Sequence, residues 1–188
     1  MTFLVNGEPL SDDVLERIVR TVRRAPSGGF SQGQRLVVVT EEATRREIAD
    51  LLGAEEWISQ GREPWLSVAP AHVVVCTREQ DYHDRYNEPD KLAATGGVEI
   101  EWPVPFWFVD AGAAMMLVLL AAIDEGLASA FVGHPDQKRI FDELLGLPDE
   151  VVPIGLALIG KAGEAPSPGS RMKERQRSKD ELIRRERW

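Results

Sequence analysis

Apolar positions along this chain recur with a helical period in some stretches and run together in others, and the alternation lays out the elements. From Ser11 onward, Val14, Leu15, Ile18, Val19 and Val22 mark one face of a helix. Asp12 and Asp13 open it and Arg20, Arg23 and Arg24 close it, each sign placed to complement the helix dipole. Pro26 and the glycines after it stop the helix. Residues 36–40 (LVVVT) form a continuous β-branched run, which predicts a strand buried on both faces. A second helix is expected over about 42–52, ended by Gly53, and a short helix or loop around Trp57 and Trp65. Residues 71–77 (AHVVVCT) read as a second core strand. Residues 81–105 show no sustained period and predict a long irregular segment. A helix apolar nearly all round begins at Phe106 or Val109 and runs to about Glu125, closed by Gly126. Residues 128–132 are short and apolar, and residues 134–145 are an amphipathic helix with Pro135 near its first turn. Residues 151–159 (VVPIGLALI) are a third buried strand, in which Pro153 and Gly155 argue for an edge or a bulge. Strands alternating with helices predict a layered α/β or α+β domain.

A length of 188 residues suits one domain over residues 1–188, with residues 171–188 as a basic C-terminal arm. The net charge of -9 disfavours nucleic acid and anionic membrane as partners. That figure hides an asymmetry, because residues 170–188 carry +4 and the remaining 169 carry -13. Arg171, Lys173, Arg175 and Arg177 occupy every second position, so an extended backbone would point them one way as an anion clamp. The single cysteine, Cys76, excludes an internal disulfide and reads as a buried strand thiol in a reducing, cytoplasmic setting. Three histidines without ligand spacing give no expectation of a metal. The uncharged run 111–123 is too short to span a bilayer, and no signal peptide is expected at the start of the chain.

Candidate chemistry gathers in two places. Ser27, Ser31, Gln32 and Gln34 share eight residues with three glycines, in a loop that follows a helix and opens a strand. A dinucleotide phosphate loop has the opposite order, so the choice is between a solvated turn and amide groups facing a polar ligand edge. Trp102, Phe106, Trp107 and Phe108 fall within seven residues, too close for all to face one core, so at least one is expected at a pocket or an interface.

Residues 25–39 (APSGGFSQGQRLVVV) resemble the corresponding segment of the nitroreductase-like flavoproteins. The resemblance continues through the apolar central helix, the Asp124-Glu125-Gly126-Leu127-Ala128 turn, Leu147-Pro148, the strand ending at Gly160, and the terminal stretch with Asp180-Glu181-Leu182-Ile183 and Arg187-Trp188. It implies an α+β fold, an α/β/α sandwich with a central mixed sheet, in an intertwined homodimer with FMN at the subunit interface. Pro26, Ser27, Gly28 and Gln32 would approach the flavin from one subunit. Phe131, Val132 and Gly133 would lie near the ring from the other, and Arg175 and Arg177 would meet the phosphate. Trp102, Phe106 and Trp107 would cover the flavin face and form the substrate pocket. NAD(P)H would be the donor and a nitroaromatic, quinone or similar small molecule the acceptor, by a ping-pong mechanism. Two departures stand out. The arginines with which such proteins usually begin are missing from residues 3–7, and Phe30 and Gly33-Gln34 replace the loop's usual Asn and Pro-Trp. Phosphate binding then falls on the arm, with Arg23, Arg24 or Arg35 as substitutes. A flavin-sequestering protein and a flavin-fragmenting enzyme remain as other readings.

Overall fold

Two β-branched strands, buried on both faces, form the centre of the molecule: β2 (Ala71–Arg78) and β4 (Val151–Gly160), paired antiparallel. The computed structural model describes residues 5–61, 64–163 and 175–187. β1 (Gln34–Val39) flanks β2 and β3 (Ala128–Val132) flanks β4, giving the order β1-β2-β4-β3. Every pairing is antiparallel, so the sheet of the described residues is not the expected mixed one. The alternation of helices and strands left strand direction open; β2 and β3 run the same way but do not pair, because β4 inserts between them antiparallel to both.

Side-chain alternation along β2 separates two cores. Val74 and Cys76 face a layer made by α2 (Glu42–Leu51), α3 (Ala54–Ser59), α4 (Trp65–Val68) and α8 (Gln137–Leu145), where Ile48, Leu66, Ile140 and Phe141 pack. Val73 and Val75 face α1 (Asp12–Arg20) and α7 (Phe106–Asp124), where Ile18, Met115, Val118 and Leu119 pack. The result is a three-layer α/β/α sandwich.

β1 departs from expectation. It is an edge strand in which only Val39 is buried and Val38 is 41% exposed, because no further strand or helix of the described residues covers that side fully. β4 is central and takes its Pro and Gly at a bulge: Val75 pairs with Gly155 and Cys76 with Pro153, leaving Ile154 as the extra residue. The bulge tolerates the missing proline N–H. At Gly155 a Cβ would sit 2.2 Å from the Phe131 ring, so glycine lets that ring lie across the strand.

The segment 81–105 is not irregular throughout. It contains α5 (Gln80–Tyr86) and α6 (Pro89–Thr95), two polar helices without an apolar stripe. Arg85 joins them through Glu88 at 2.9 Å and Asp90 at 2.8 Å, and holds the Asp90 carboxyl down at about 2. Tyr82 anchors α5 in the core.

α7 has 19 residues and is long and apolar enough to cross a bilayer by length and composition alone. One stripe, Ala111, Ala114, Met115, Val118, Leu119 and Ala122, is buried against the sheet. The opposite stripe, Val109, Met116, Leu120 and Ile123, is more than half exposed at every position.

Candidate functional site

The polar loop stands between α1 and β1. A 3-10 extension, Thr21–Arg24, carries the chain past α1, and a single 3-10 turn, Gly28–Phe30, leads toward the strand. Three of the next four positions have left-handed backbone: Gly29, Phe30 and Gln32 have φ of 58°, 65° and 53°. Left-handed backbone in a bulky residue costs on the order of 1 to 2 kcal/mol, so two such residues require strong local restraint.

The restraint is visible. The Gly28 N–H and the Tyr82 hydroxyl both donate to Asp110 Oδ2, each at 2.8 Å. Ser31 Oγ donates to the Gly28 carbonyl at 2.6 Å, and the Gln32 N–H to Ser27 Oγ at 2.8 Å. Arg85 Nε reaches the Gly29 carbonyl at 2.9 Å, and Gln34 Nε2 the Pro26 carbonyl at 2.9 Å. Gly33 closes the loop where no other residue fits, since a Cβ would lie 2.5 Å from the Tyr82 ring and 2.8 Å from the Arg78 carbonyl. Asp110 is 6% exposed, and burial together with that carboxylate pushes the Tyr82 hydroxyl pKa well up. Phe30 is thereby held out of the loop, 73% exposed.

The expected pocket aromatics do assemble. Trp102 and Trp107 lie 5.9 Å apart and each stands edge-on to Tyr82 at about 6 Å; Phe106 lies 6.2 Å from Trp102. Tyr86 packs on Trp102 at 4.6 Å. Glu99 organises the cluster by accepting from Trp102 Nε1 at 2.7 Å, His83 Nδ1 at 2.6 Å and Asn87 Nδ2 at 2.9 Å. Burial works against its charge, yet these donors hold the Glu99 carboxyl below its usual range. The hydrogen bond to Glu99 raises the His83 pKa, with Glu79 adding to it against partial burial.

On the α1 side of the loop lies an open groove of about 1110 Å3, lined by Arg20, Arg23, Arg24, Phe30, Gln32 and Gln34 among others. Of the residues expected at the cofactor, Gln32 lines this groove, and Pro26, Ser27 and Gly28 form the loop beside it. Phe131, Val132 and Gly133 do not join them within one chain. They stand at the end of β3, on the opposite edge of the sheet, with β2 and β4 between. Three strand spacings amount to about 14 Å. Arg175 and Arg177 are exposed, and Arg177 lies 3.9 Å from Glu181 in the short helix Lys179–Leu182, which Ser178 caps. Arg171 and Lys173, the first half of the expected clamp, lie outside the described residues.

The remaining candidates are structural. His72 is buried, its Nε2–H donates to the Leu66 carbonyl at 3.1 Å, and burial pushes its pKa down to about 4. Burial pushes the Cys76 thiol up to about 12, far from a nucleophile's range. Among the described residues no group of three or more His, Cys, Asp or Glu side chains gathers as a metal site. Sequence reasoning missed Asp110 and Tyr82, which set the loop, and Phe30 as a groove wall. The only signal for Phe30 was an aromatic residue placed among Gly, Ser and Gln.

Residues 5–161 match the model of the Nitroreductase family. Bacillus subtilis FMN reductase [NAD(P)H] is 30% identical over 164 residues, 81% of this chain and 58% of that protein. The oxygen-insensitive NADPH nitroreductase of Salmonella typhimurium is 28% identical over 80% of this chain and 58% of its own length. The chain thus spans just under three fifths of both relatives. The NADPH:FMN oxidoreductase from Vibrio harveyi, solved in complex with NAD+, shares the fold with a TM-score of 0.71 at 20% identity, over 100% of this chain and 73% of that one.

Proposed function

Because the chain belongs to the nitroreductase family, we propose that it is an FMN-dependent NAD(P)H oxidoreductase acting on a small-molecule acceptor, working as a homodimer of single-domain subunits. The observation that carries this reading is the 26–32 loop, whose strained backbone is held rigid by Asp110, Tyr82 and Arg85. A loop kept in left-handed backbone at two non-glycine positions is organised for more than a turn.

The groups present fit a phosphorylated isoalloxazine. The Gln32 side-chain amide offers a donor and an acceptor for the polar edge of a ring, Phe30 offers an exposed aromatic face, and arginines stand beside the loop and on the arm. Arg175 and Arg177, on the 171–188 arm, are candidates for the cofactor phosphate. The redox chemistry would belong to FMN, with NAD(P)H as donor and a nitroaromatic or quinone as acceptor in a ping-pong sequence. The chain's own work is then to bind, orient and exclude water. Trp102, Phe106 and Trp107 would form the dry wall on the α5 side of the loop.

Two features support the homodimer. The exposed apolar stripe of α7, Val109, Met116, Leu120 and Ile123, has the spacing of a helix-packing seam. The loop and the Phe131–Gly133 corner lie on opposite sheet edges, so a site using both takes one from each of two copies.

The test is direct. Purified protein should show flavin absorption, or added FMN should quench its tryptophan fluorescence, and anaerobic NADPH or NADH should bleach the flavin. Absence of flavin absorption together with absence of quenching refutes the proposal. Flavin that binds but stays yellow with both donors identifies a cofactor-holding protein without turnover, the reading favoured by the missing N-terminal arginines.

A further inference from the structure

Arg20, Arg23 and Arg24 are exposed, line the groove, and have no carboxylate within ion-pair distance among the described residues. Most other arginines in the described body before residue 164 differ in this. The chain's net charge is -9, and Arg35, Arg46, Arg78, Arg85 and Arg139 each face an acid. Arg17, the fourth arginine of the groove, is already neutralised by Glu125 through two bonds of 2.7 Å. Complementing the dipole of α1 accounts for one cation, because the effect fades beyond the last turn, whereas Arg23 and Arg24 lie past it in the 3-10 extension.

The opposite wall supplies the rest of a recognition surface. Phe30 projects from the loop in a conformation that the Ser27–Gln32 hydrogen bonds enforce, so its exposure is imposed by the backbone. Gln32 and Gln34 add amides, and among the described residues the Gln34 side chain uses only its Nε2, on the Pro26 carbonyl. No carboxylate of the described residues lines the groove. Three uncompensated guanidiniums, a flat aromatic face and neutral amides match an aromatic heterocycle carrying a phosphate. The volume is ample, since small-molecule pockets run to about 300 to 1,000 Å3.

We propose that this groove is a nucleotide-phosphate site, in which Arg20, Arg23 and Arg24 hold the phosphate and Phe30 stacks against the ring. The oxidoreductase reading enters only in naming two sources of that phosphate, FMN and the 2′-phosphate of NADPH. Both present the same dianionic group to the same arginines.

Binding separates the sources. Dissociation constants for FMN, riboflavin, NADPH and NADH are measured by titration calorimetry on the full chain and on an Arg20→Gln/Arg23→Gln/Arg24→Gln variant. FMN weakened by about 10- to 100-fold with riboflavin unchanged assigns the groove to the flavin phosphate. NADPH weakened by that factor, with NADH and FMN unchanged, assigns it to the donor. Unchanged affinity for both FMN and NADPH overturns the site. If the wild-type chain binds no flavin, the oxidoreductase reading fails while the groove is still tested with 2′,5′-ADP: loss of its binding in the triple variant supports the site, and equal binding overturns it. Salt gives the same answer without mutation, since a phosphate held by three arginines weakens steeply between low and high ionic strength and riboflavin does not. A Phe30→Ala variant should weaken 2′,5′-ADP or FMN and leave inorganic pyrophosphate unaffected; equal loss of pyrophosphate would remove Phe30 from the site.

Discussion

Asp110→Ala removes the one carboxylate that ties the loop to α7. In the wild type, its Oδ2 receives the Gly28 N–H and the Tyr82 hydroxyl, both at 2.8 Å, inside a site where Asp110 is 6% exposed. Each hydrogen bond to a charged acceptor contributes about 1.5 to 3 kcal/mol. The Tyr82 hydroxyl is fully buried and finds no replacement partner, whereas Gly28 is half-buried and regains part of its loss from water. The sum is about 2 to 5 kcal/mol, which for a domain of this size lowers Tm by about 2 to 4 °C per kcal/mol. Tyr82→Phe removes one of the two donors and should cost about 1 to 3 kcal/mol. The informative measurement is the double-mutant cycle by urea denaturation, together with hydrogen exchange at the Gly28 amide. Asp110→Ala in the Tyr82→Phe background should cost less than in the wild type by about 1.5 kcal/mol or more, because the buried hydroxyl is already gone. The Gly28 amide should lose protection in both Asp110 variants and keep it in Tyr82→Phe. Strict additivity of the two substitutions, or a Gly28 amide equally protected in all four proteins, refutes the shared anchor.

Gly33→Ala forces a Cβ to 2.5 Å from the Tyr82 ring and 2.8 Å from the Arg78 carbonyl. Because the second contact is backbone, relaxation is limited, and a loss of about 1 to 3 kcal/mol is expected in urea denaturation. His83 has a raised pKa in the folded chain. Its pairing with Glu99 and Glu79 therefore stabilises fully below the unfolded value of about 6.5 and is lost as pH rises through the raised folded value. Urea midpoints measured from pH 6 to pH 9 should fall across that window, and His83→Gln should flatten the change. Arg175→Ala with Arg177→Ala should weaken FMN by about tenfold or more in calorimetry if the arm meets the phosphate, and leave riboflavin unaffected. Met116→Glu with Leu120→Glu places two charges in the exposed stripe of α7. If that stripe is the dimer seam, sedimentation should show the wild type as a dimer and the variant as a monomer with a similar circular dichroism spectrum.

What was legible in the sequence was whatever depends on an uninterrupted apolar pattern. β2 stands out as AHVVVCT because both of its faces are buried, and α7 stands out because neither side of it is polar. The same logic misplaced β1: its β-branched run is as continuous as that of β2, and propensity does not distinguish a central strand from an edge. α5 and α6 were illegible for the opposite reason. They are held by Arg85 ion pairs and by one buried tyrosine, contacts between residues that no period connects. At the site, Ser27, Gln32 and the glycines could be read as a ligand-facing loop, but their restraint could not. Asp110 lies 82 residues from Gly28, and in sequence it is an isolated acid near the start of an apolar helix.

Charge shows most clearly how structure changes the reading. In sequence, the body carries -13 and the arm +4, which directs any anion to the arm. In the fold, acids neutralise arginines on α5, β1 and α8 and leave three uncompensated at the end of α1, beside the one aromatic side chain that the loop holds in solvent. A strongly acidic body thus contains a locally cationic groove. Arm and groove become separable candidates for an anion. The Arg175/Arg177 and Arg20/Arg23/Arg24 variants divide the phosphate between them: if one set alone weakens FMN relative to riboflavin, the other is left to the donor or to solvent.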